Sequence, residues 1–378
     1  MSQLYSVETR TSIPRTRSLG GRLTSLAGMV AAACLTLPGS GGCSSSDGES
    51  QSGGSGGATA GSGGSTTTPG STGGGSNAAD SSTTAGGGRG TAVDSEAAVG
   101  TFTVRLTPTS ITGTPAQTSL TGVVQESARP STNNWIPSTE EGGCQLQLPK
   151  QAFCDPACGS GQTCLLSGQC APSDPPKHGV GTVTVKGVRT NAGATEFTME
   201  PAPSLTYAKT GLAFPPFLEG DTVQVTASGG DHSPFSLEAK GISPLQVAVT
   251  ELKIAKNQPA NLAWTPPTQT GIGKIEVVLN IAQHGTSRGM LVCHVADTGS
   301  LQIPAALITK LVDLGVAGYP VIDITRISAG SATIALGRVD LVIASGVQVE
   351  VQVEGFTYCK DTEACPAGKS CNAIYLCE

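Results

Sequence analysis

The 378-residue sequence predicts an all-β fold: an antiparallel β-sandwich with one short helix and two small disulfide-rich modules, after a disordered N-terminal stalk. Three observations lead to this fold class. Apolar and polar residues alternate in short runs from Gly100 onward, and cysteines form two quartets of similar spacing. Most residues between positions 43 and 99 are Gly, Ser, Thr or Ala, which cannot build a hydrophobic core.

The first 42 residues predict a signal peptide. An uncharged apolar run of 15 residues, residues 23–37, follows a segment whose charged residues include four arginines. A basic segment followed by an apolar run of this length is typical of a Sec-type export signal, and the run is short for a membrane-spanning helix. A retained membrane anchor is the alternative. The arginines are Arg10, Arg15, Arg17 and Arg22.

Two cysteines lie near the end of this signal, Cys34 and Cys43. The small residues before each of them, residues 31–33 and 40–42, resemble the cleavage site of bacterial lipoproteins, in which the cysteine becomes the acylated N-terminus. Cleavage before Cys43 leaves ten further cysteines, enough for five disulfides, whereas cleavage before Cys34 leaves an odd thiol. The resemblance therefore implies a lipid on Cys43, with Cys34 or secretion without lipid as alternatives. Ser44 follows, not Asp, which favours the outer membrane or cell surface.

Residues 43–99 predict a flexible tether between that lipid and the folded domain. No Val, Ile, Leu, Met, Phe, Tyr or Trp occurs in residues 44–90, so this segment cannot bury enough apolar surface to offset its chain entropy. A Gly/Ser coil of this length spans on the order of 40 Å.

Residues 100–357 predict the β-sandwich of the ectodomain, interrupted by the first cysteine-rich module. The clearest alternation is at residues 347–353, where Val alternates with Gln or Glu. Residues 304–314 predict a short helix that ends at Gly315. The sequence shows no crossover helices, so we expect antiparallel strands. Further alternating runs cover residues 101–107, 182–188, 222–226, 245–250, 262–265, 275–281, 290–295, 322–327 and 332–336.

The two cysteine quartets predict small modules at residues 144–171 and 358–378. In each, a glycine lies three residues before the third cysteine, Gly161 or Gly368, and both resemble the EGF-sized, cysteine-rich modules of secreted proteins. We expect disulfides, not zinc, because neither quartet has a CxxC pair or a nearby pair of histidines. Spacing leaves the connectivity open. Once each quartet closes internally, Cys144 and Cys293 remain to pair with each other. The cysteines expected in disulfides are Cys144, Cys154, Cys158, Cys164, Cys170, Cys293, Cys359, Cys365, Cys371 and Cys377.

One short string suggests catalysis. Residues 296–300, Ala-Asp-Thr-Gly-Ser, resemble the segment that carries the catalytic carboxylate of aspartic proteases, which would make Asp297 that carboxylate. The chemistry needs two carboxylates that share a proton, and no second Asp-Thr-Gly or Asp-Ser-Gly occurs in the chain. We therefore expect a turn at Asp297, and no catalytic residue.

Other binding classes have little support in the composition. A net charge of −6 and an isoelectric point near 5.3 provide no basic surface for nucleic acid. Trp135 is a candidate platform for a sugar ring, whereas Trp264 lies in an apolar run and is expected in the core. No metal or cofactor is expected, since the four histidines lack metal-binding spacing. They are His178, His232, His284 and His294.

Taken together, the sequence predicts a non-enzymatic lipoprotein of the cell envelope. Its partners would be the membrane, through the lipid, and an unidentified protein or glycan. A hydrolase that uses Asp297 and a carbohydrate-binding module that uses Trp135 are the alternatives.

Overall fold

A computed structural model describes residues 98–109, 113–131, 134–282, 287–360 and 364–378. The predicted signal peptide, both candidate lipidation cysteines and residues 43–97 of the predicted tether lie outside these ranges. Ala98 and Val99, the last residues of the predicted tether, already belong to the first strand. In the described residues no helix is long and apolar enough to cross a membrane.

The described residues contain eighteen strands and one helix. The strands are β1 Ala98–Thr107, β2 Gln117–Val124, β3 Trp135–Glu141, β4 Cys144–Pro149, β5 Gln162–Cys164, β6 Cys170–Pro172, β7 Val183–Lys186, β8 Glu196–Met199, β9 Thr206–Leu212, β10 Thr222–Ala227, β11 Phe235–Lys240, β12 Glu251–Ile254, β13 Ala260–Ala263, β14 Lys274–Asn280, β15 Met290–Ala296, β16 Ser300–Ile303, β17 Val321–Ile334 and β18 Gly337–Val353. The helix is α1 Ala305–Asp313.

A ten-stranded sheet organises the domain, in the order β3-β4-β15-β14-β17-β18-β1-β2-β9, with β12 also paired to β18. A second sheet has the order β11-β10-β7-β8, and two further pairs, β13-β16 and β5-β6, complete the strands. The single helix begins after Pro304 and ends before Gly315, whose φ of +107° suits a residue without a side chain. The predicted all-β sandwich with one short helix is therefore confirmed.

Two hydrophobic cores lie against the large sheet, and β18 contributes to both. Its first half supplies Val339, Leu341 and Ile343 to a core closed by the second sheet. Its second half supplies Val349 and Val351 to a core closed by α1, β12, β13 and β16. The alternation in residues 347–353 therefore has the predicted consequence: valines face the core and the polar residues between them face outward.

Two pairings differ from the antiparallel arrangement expected from the sequence. Strand β18 runs parallel to β1 on one side and to β12 along its last residues. Parallel neighbours need a long connection, and here the intervening strands themselves supply it without a crossover helix. Residues 245–250 also differ, since they form no regular strand and only Val247 makes a bridge, to Trp264.

All ten cysteines of the described residues form disulfides, and the two quartets share one connectivity. In each quartet the first cysteine bonds the third and the second bonds the fourth, which supports one module used twice. Cys144 lies in β4 of the large sheet and bonds Cys293, its directly opposed residue in β15. This fifth bridge therefore lies within the sheet and not in the first module. The module bonds are Cys154–Cys164, Cys158–Cys170, Cys359–Cys371 and Cys365–Cys377.

Candidate functional site

The string that resembles a protease active site forms a buried ion pair. Asp297 follows β15, and its Oδ2 accepts a hydrogen bond from Nε of Arg326 at 2.5 Å. Its Oδ1 accepts from Nε1 of Trp264 at 2.7 Å and from Nη2 of Arg326 at 3.2 Å. The side chains of Arg326 and Asp297 are only 2% and 3% exposed, so both charges are removed from water.

Backbone and hydroxyl oxygens take up the other N–H groups of the guanidinium. Nη1 of Arg326 donates to the carbonyl oxygen of Ser243 at 3.1 Å and to its Oγ at 2.9 Å. Nη2 donates to the carbonyl oxygen of Thr265 at 2.7 Å. Arg326 thus connects β17 to the segments before β12 and β14. Its buried charge is stabilised only while Asp297 remains ionised beside it.

This arrangement argues against Asp297 as the catalytic carboxylate of the hydrolase hypothesis. A protease dyad shares a proton between two carboxylates, whereas a guanidinium and an indole N–H occupy both oxygens of Asp297. The string itself is a turn into β16. Gly299 has a φ of +94°, and its carbonyl oxygen accepts a hydrogen bond from the backbone N–H of Trp264 at 2.9 Å. A side chain there would also meet the ring of Pro266. The expected turn at Asp297 is what the structure has.

The histidines are spread over different surroundings. His178 and His232 pack edge to face, with ring centroids 4.9 Å apart. His294 lies 3.6 Å from Glu276, measured from Nδ1 to Oε2, and His284 is outside the described residues. Among the described residues, the groups of three or more side chains close enough to share a metal ion consist of module cysteines, which are already in disulfides.

The two tryptophans also differ in their surroundings. Trp264 is 4% exposed and belongs to the core, as expected. Trp135 lies on the edge strand β3, partly buried and opposite Pro149. It lines neither of two cavities that the described residues form. The smaller of these, about 340 Å³, lies beside Arg189, Asp221 and Phe217.

The larger cavity is a groove of about 690 Å³ between the large sheet and the C-terminal module. We call it the C-terminal groove and define it by six of its lining residues. Its floor is the outward row of β18, and its walls are the residue pair before β17 and the beginning of the module. The six residues are Tyr319, Gln348, Glu350, Gln352, Tyr358 and Lys360.

Contacts with the module fix one wall of the groove. The rings of Tyr319 and Tyr375 lie 5.4 Å apart between centroids, and the hydroxyl of Tyr319 donates to the carbonyl oxygen of Cys359 at 3.3 Å. Tyr375 has a φ of +62°, a conformation supported by Asn372, whose Oδ1 accepts the N–H groups of Ile374 and Leu376. Local hydrogen bonds therefore hold this aromatic pair in place.

One side chain of the floor is held by a polar contact. Nε2 of Gln348 donates to Oδ1 of Asp323 on β17 at 3.0 Å. Burial raises the pKa of Tyr358, which also lines the groove, to about 12, although the backbone N–H of Val353 acts in the other direction. The phenol is therefore neutral at physiological pH. Among the described residues that line it, the groove presents the neutral amides of Gln348 and Gln352 and the ring of Tyr319, with one carboxylate from Glu350 and one ammonium group from Lys360.

Sequence reasoning did not find this groove. It identified the outward row of Gln348, Glu350 and Gln352 as the polar face of a strand, but no local pattern says that the C-terminal module packs beside that row. The repeated tyrosines around the last quartet are the only signal that the sequence offers.

No family model and no curated protein matches the sequence. Among solved structures, the chain is similar to a tetra-tandem repeat in the extending region of a large adhesion protein, at 14% identity and a TM-score of 0.16, over 69% of this chain and 76% of that chain. It is also similar to the FN1-FN3 domains of chicken CNTN1, at 7% identity and a TM-score of 0.17, over 63% of this chain and 75% of that chain. Both similarities are too low to assign a function.

Proposed function

We propose that this protein is a non-enzymatic surface lipoprotein whose disulfide-stabilised β domain acts by binding. The observation that carries the proposal is the buried ion pair between Asp297 and Arg326. Asp297 is the residue that most resembles a catalytic group in the sequence, and its carboxylate already serves the packing of the domain. A binding role needs no such group.

The disulfides support a location outside the cytoplasm. Five bridges join all ten cysteines of the described residues, and disulfides persist in oxidising compartments such as the bacterial envelope. The basic and apolar segments before Cys43 supply the export address. We propose that a lipid on Cys43 then holds the domain at the outer membrane or cell surface, at the end of the Gly/Ser tether.

Metabolic labelling tests the anchor. The full chain, expressed in a Gram-negative host supplied with an alkyne fatty acid, should carry the label. Cys43→Ser should abolish labelling, because a hydroxyl side chain cannot take the thioether-linked lipid. Cys34→Ser is the matched control and should be labelled like the wild type, since signal cleavage removes that residue.

Two results would contradict the proposal in different ways. Loss of label in Cys34→Ser but not in Cys43→Ser would show that Cys34 is the acylated residue. An exported wild-type chain without label would indicate a secreted protein that has no lipid anchor.

A further inference from the structure

We propose that the C-terminal groove binds a neutral oligosaccharide. The inference deepens the binding role proposed above and rests on it. It also moves the sugar site away from Trp135, which lies on an edge strand outside the groove.

The floor of the groove offers the donors and acceptors that sugar hydroxyls need. Gln348, Glu350 and Gln352 are exposed and occupy alternate positions of β18, so their side chains form a row about 6–7 Å apart. Each glutamine amide has both an acceptor oxygen and a donor NH₂ group. A row of such amides can therefore bind successive hydroxyls of a sugar chain that lies along the strand.

The wall of the groove offers an aromatic surface. A sugar ring has an apolar face of C–H groups, and tyrosine provides a flat apolar surface with a polar end. Tyr319 is held by the ring of Tyr375 and by Cys359, so its position does not depend on a ligand. A preformed site loses less side-chain entropy on binding.

Charge and size indicate which sugars would fit. The described lining residues carry one carboxylate and one ammonium group, and the whole chain has a net charge of −6, which disfavours polyanionic glycans. The volume of about 690 Å³ is within the usual range for small-ligand sites. The groove therefore suits a short neutral oligosaccharide better than a charged polymer.

The sheet topology disfavours an extended peptide as the occupant. Peptides commonly bind a sheet by adding a strand to a free edge. Glu350, in the middle of the floor, pairs with β17 on one side and with β12 on the other, so a strand cannot be added to the sheet at this residue. A ligand that lies across Glu350 therefore meets side chains and not a free backbone edge.

Titration of the full chain with neutral oligosaccharides tests the proposal. The probes are the hexaoses of cellulose, chitin, mannan and xylan, with binding followed by isothermal titration calorimetry. We expect at least one to bind with a Kd between about 1 μM and 1 mM. Gln348→Ala and Gln352→Ala should each weaken that binding about tenfold.

The matched control is Gln302→Ala. Gln302 is also an exposed strand glutamine, and its amide donates to Asn261, its directly opposed neighbour, as that of Gln348 donates to Asp323. It lies outside the groove, so its loss should leave the affinity unchanged. Thermal unfolding of each variant shows whether the fold is intact.

Several outcomes would overturn the inference. They are no binding of any probe at about 10 mM, equal effects of Gln302→Ala and Gln348→Ala, or tighter binding of an oligogalacturonate than of every neutral hexaose. Each leaves fatty-acid labelling of Cys43 unaffected, so failure of the sugar site and failure of the lipoprotein proposal are distinguishable.

Discussion

Arg326 is the largest side chain that the described residues bury almost completely, and its charge depends on a single carboxylate. Moving a guanidinium out of water costs several kcal/mol unless a charged partner and further acceptors replace its hydration. Asp297 supplies the charge, while Ser243 and Thr265 supply the acceptors. Loss of either partner would therefore leave the other charge buried without compensation.

Asp297→Ala should therefore lower the free energy of unfolding by about 3–5 kcal/mol, because it leaves the charge of Arg326 buried and unpaired. Urea denaturation measures the change. Asp231→Ala is the control, since Asp231 is exposed in the turn between β10 and β11, and it should change stability by no more than about 0.5 kcal/mol. Equal effects of the two variants would contradict a structural role for the ion pair.

The candidate site shows where residue-level prediction ends. The sequence indicates that Asp297 lies in a turn. It also shows no second aspartate in the context that an aspartic protease would need. It cannot show that Arg326, 29 positions away, would be its partner, because that contact depends on how β15 and β17 pack. The spacing of the cysteines likewise predicts disulfides, but not which cysteines bond.

At the scale of elements, Glu219 joins two loops that no strand pairing connects. Its Oε1 accepts the backbone N–H of Gln269 at 2.6 Å and the hydroxyl of Thr268 at 2.9 Å. Burial alone would raise the pKa of the Glu219 carboxyl, but hydrogen bonds from Gln269, Ser243 and Thr268 outweigh it and bring this pKa below its ordinary value of 4.5. The ionised form is thus the one that holds the loops together.

The lowered pKa gives the connection a pH dependence. The stabilisation is complete above pH 4.5, the ordinary value, and is lost as the pH falls through the lower pKa of the folded protein. The protection factor of the amide of Gln269 in hydrogen exchange, which compares its rate with the intrinsic rate at the same pH, should therefore fall at acid pH in the wild type. In Glu219→Gln this protection factor should already be low at neutral pH, and in Thr268→Val, which removes one donor, it should be intermediate. Equal protection in wild type and Glu219→Gln at neutral pH would contradict this role.

Alternation in the sequence predicted most of the longer strands because a period of two follows directly from burial of one face. It could not predict which strands are neighbours, so the parallel pairs of β18 were missed. Residues 245–250 alternate as well, but the N–H of Leu245 is bound by the hydroxyl of Ser345, and only part of the segment pairs with the region of Trp264. Here tertiary contacts outweigh the local pattern.

At the scale of the whole molecule, features far apart in the chain decide both stability and the candidate binding site. The C-terminal groove exists because the last module folds beside the outward face of β18. The two cores share that same strand. Such long-range arrangements cannot be predicted from local sequence patterns.

The bridge between Cys144 and Cys293 should be the most stabilising of the five disulfides. It spans 149 residues, whereas the module bridges span 10 or 12. Because closing a longer loop removes more entropy from the unfolded chain, the double substitution Cys144→Ala with Cys293→Ala should lower the free energy of unfolding by about 5 kcal/mol. Cys158→Ala with Cys170→Ala is the control and should cost about 3 kcal/mol or less. Chemical denaturation under non-reducing conditions measures both, and a larger loss in the module variant would show that chain entropy is not the main contribution of the long bridge.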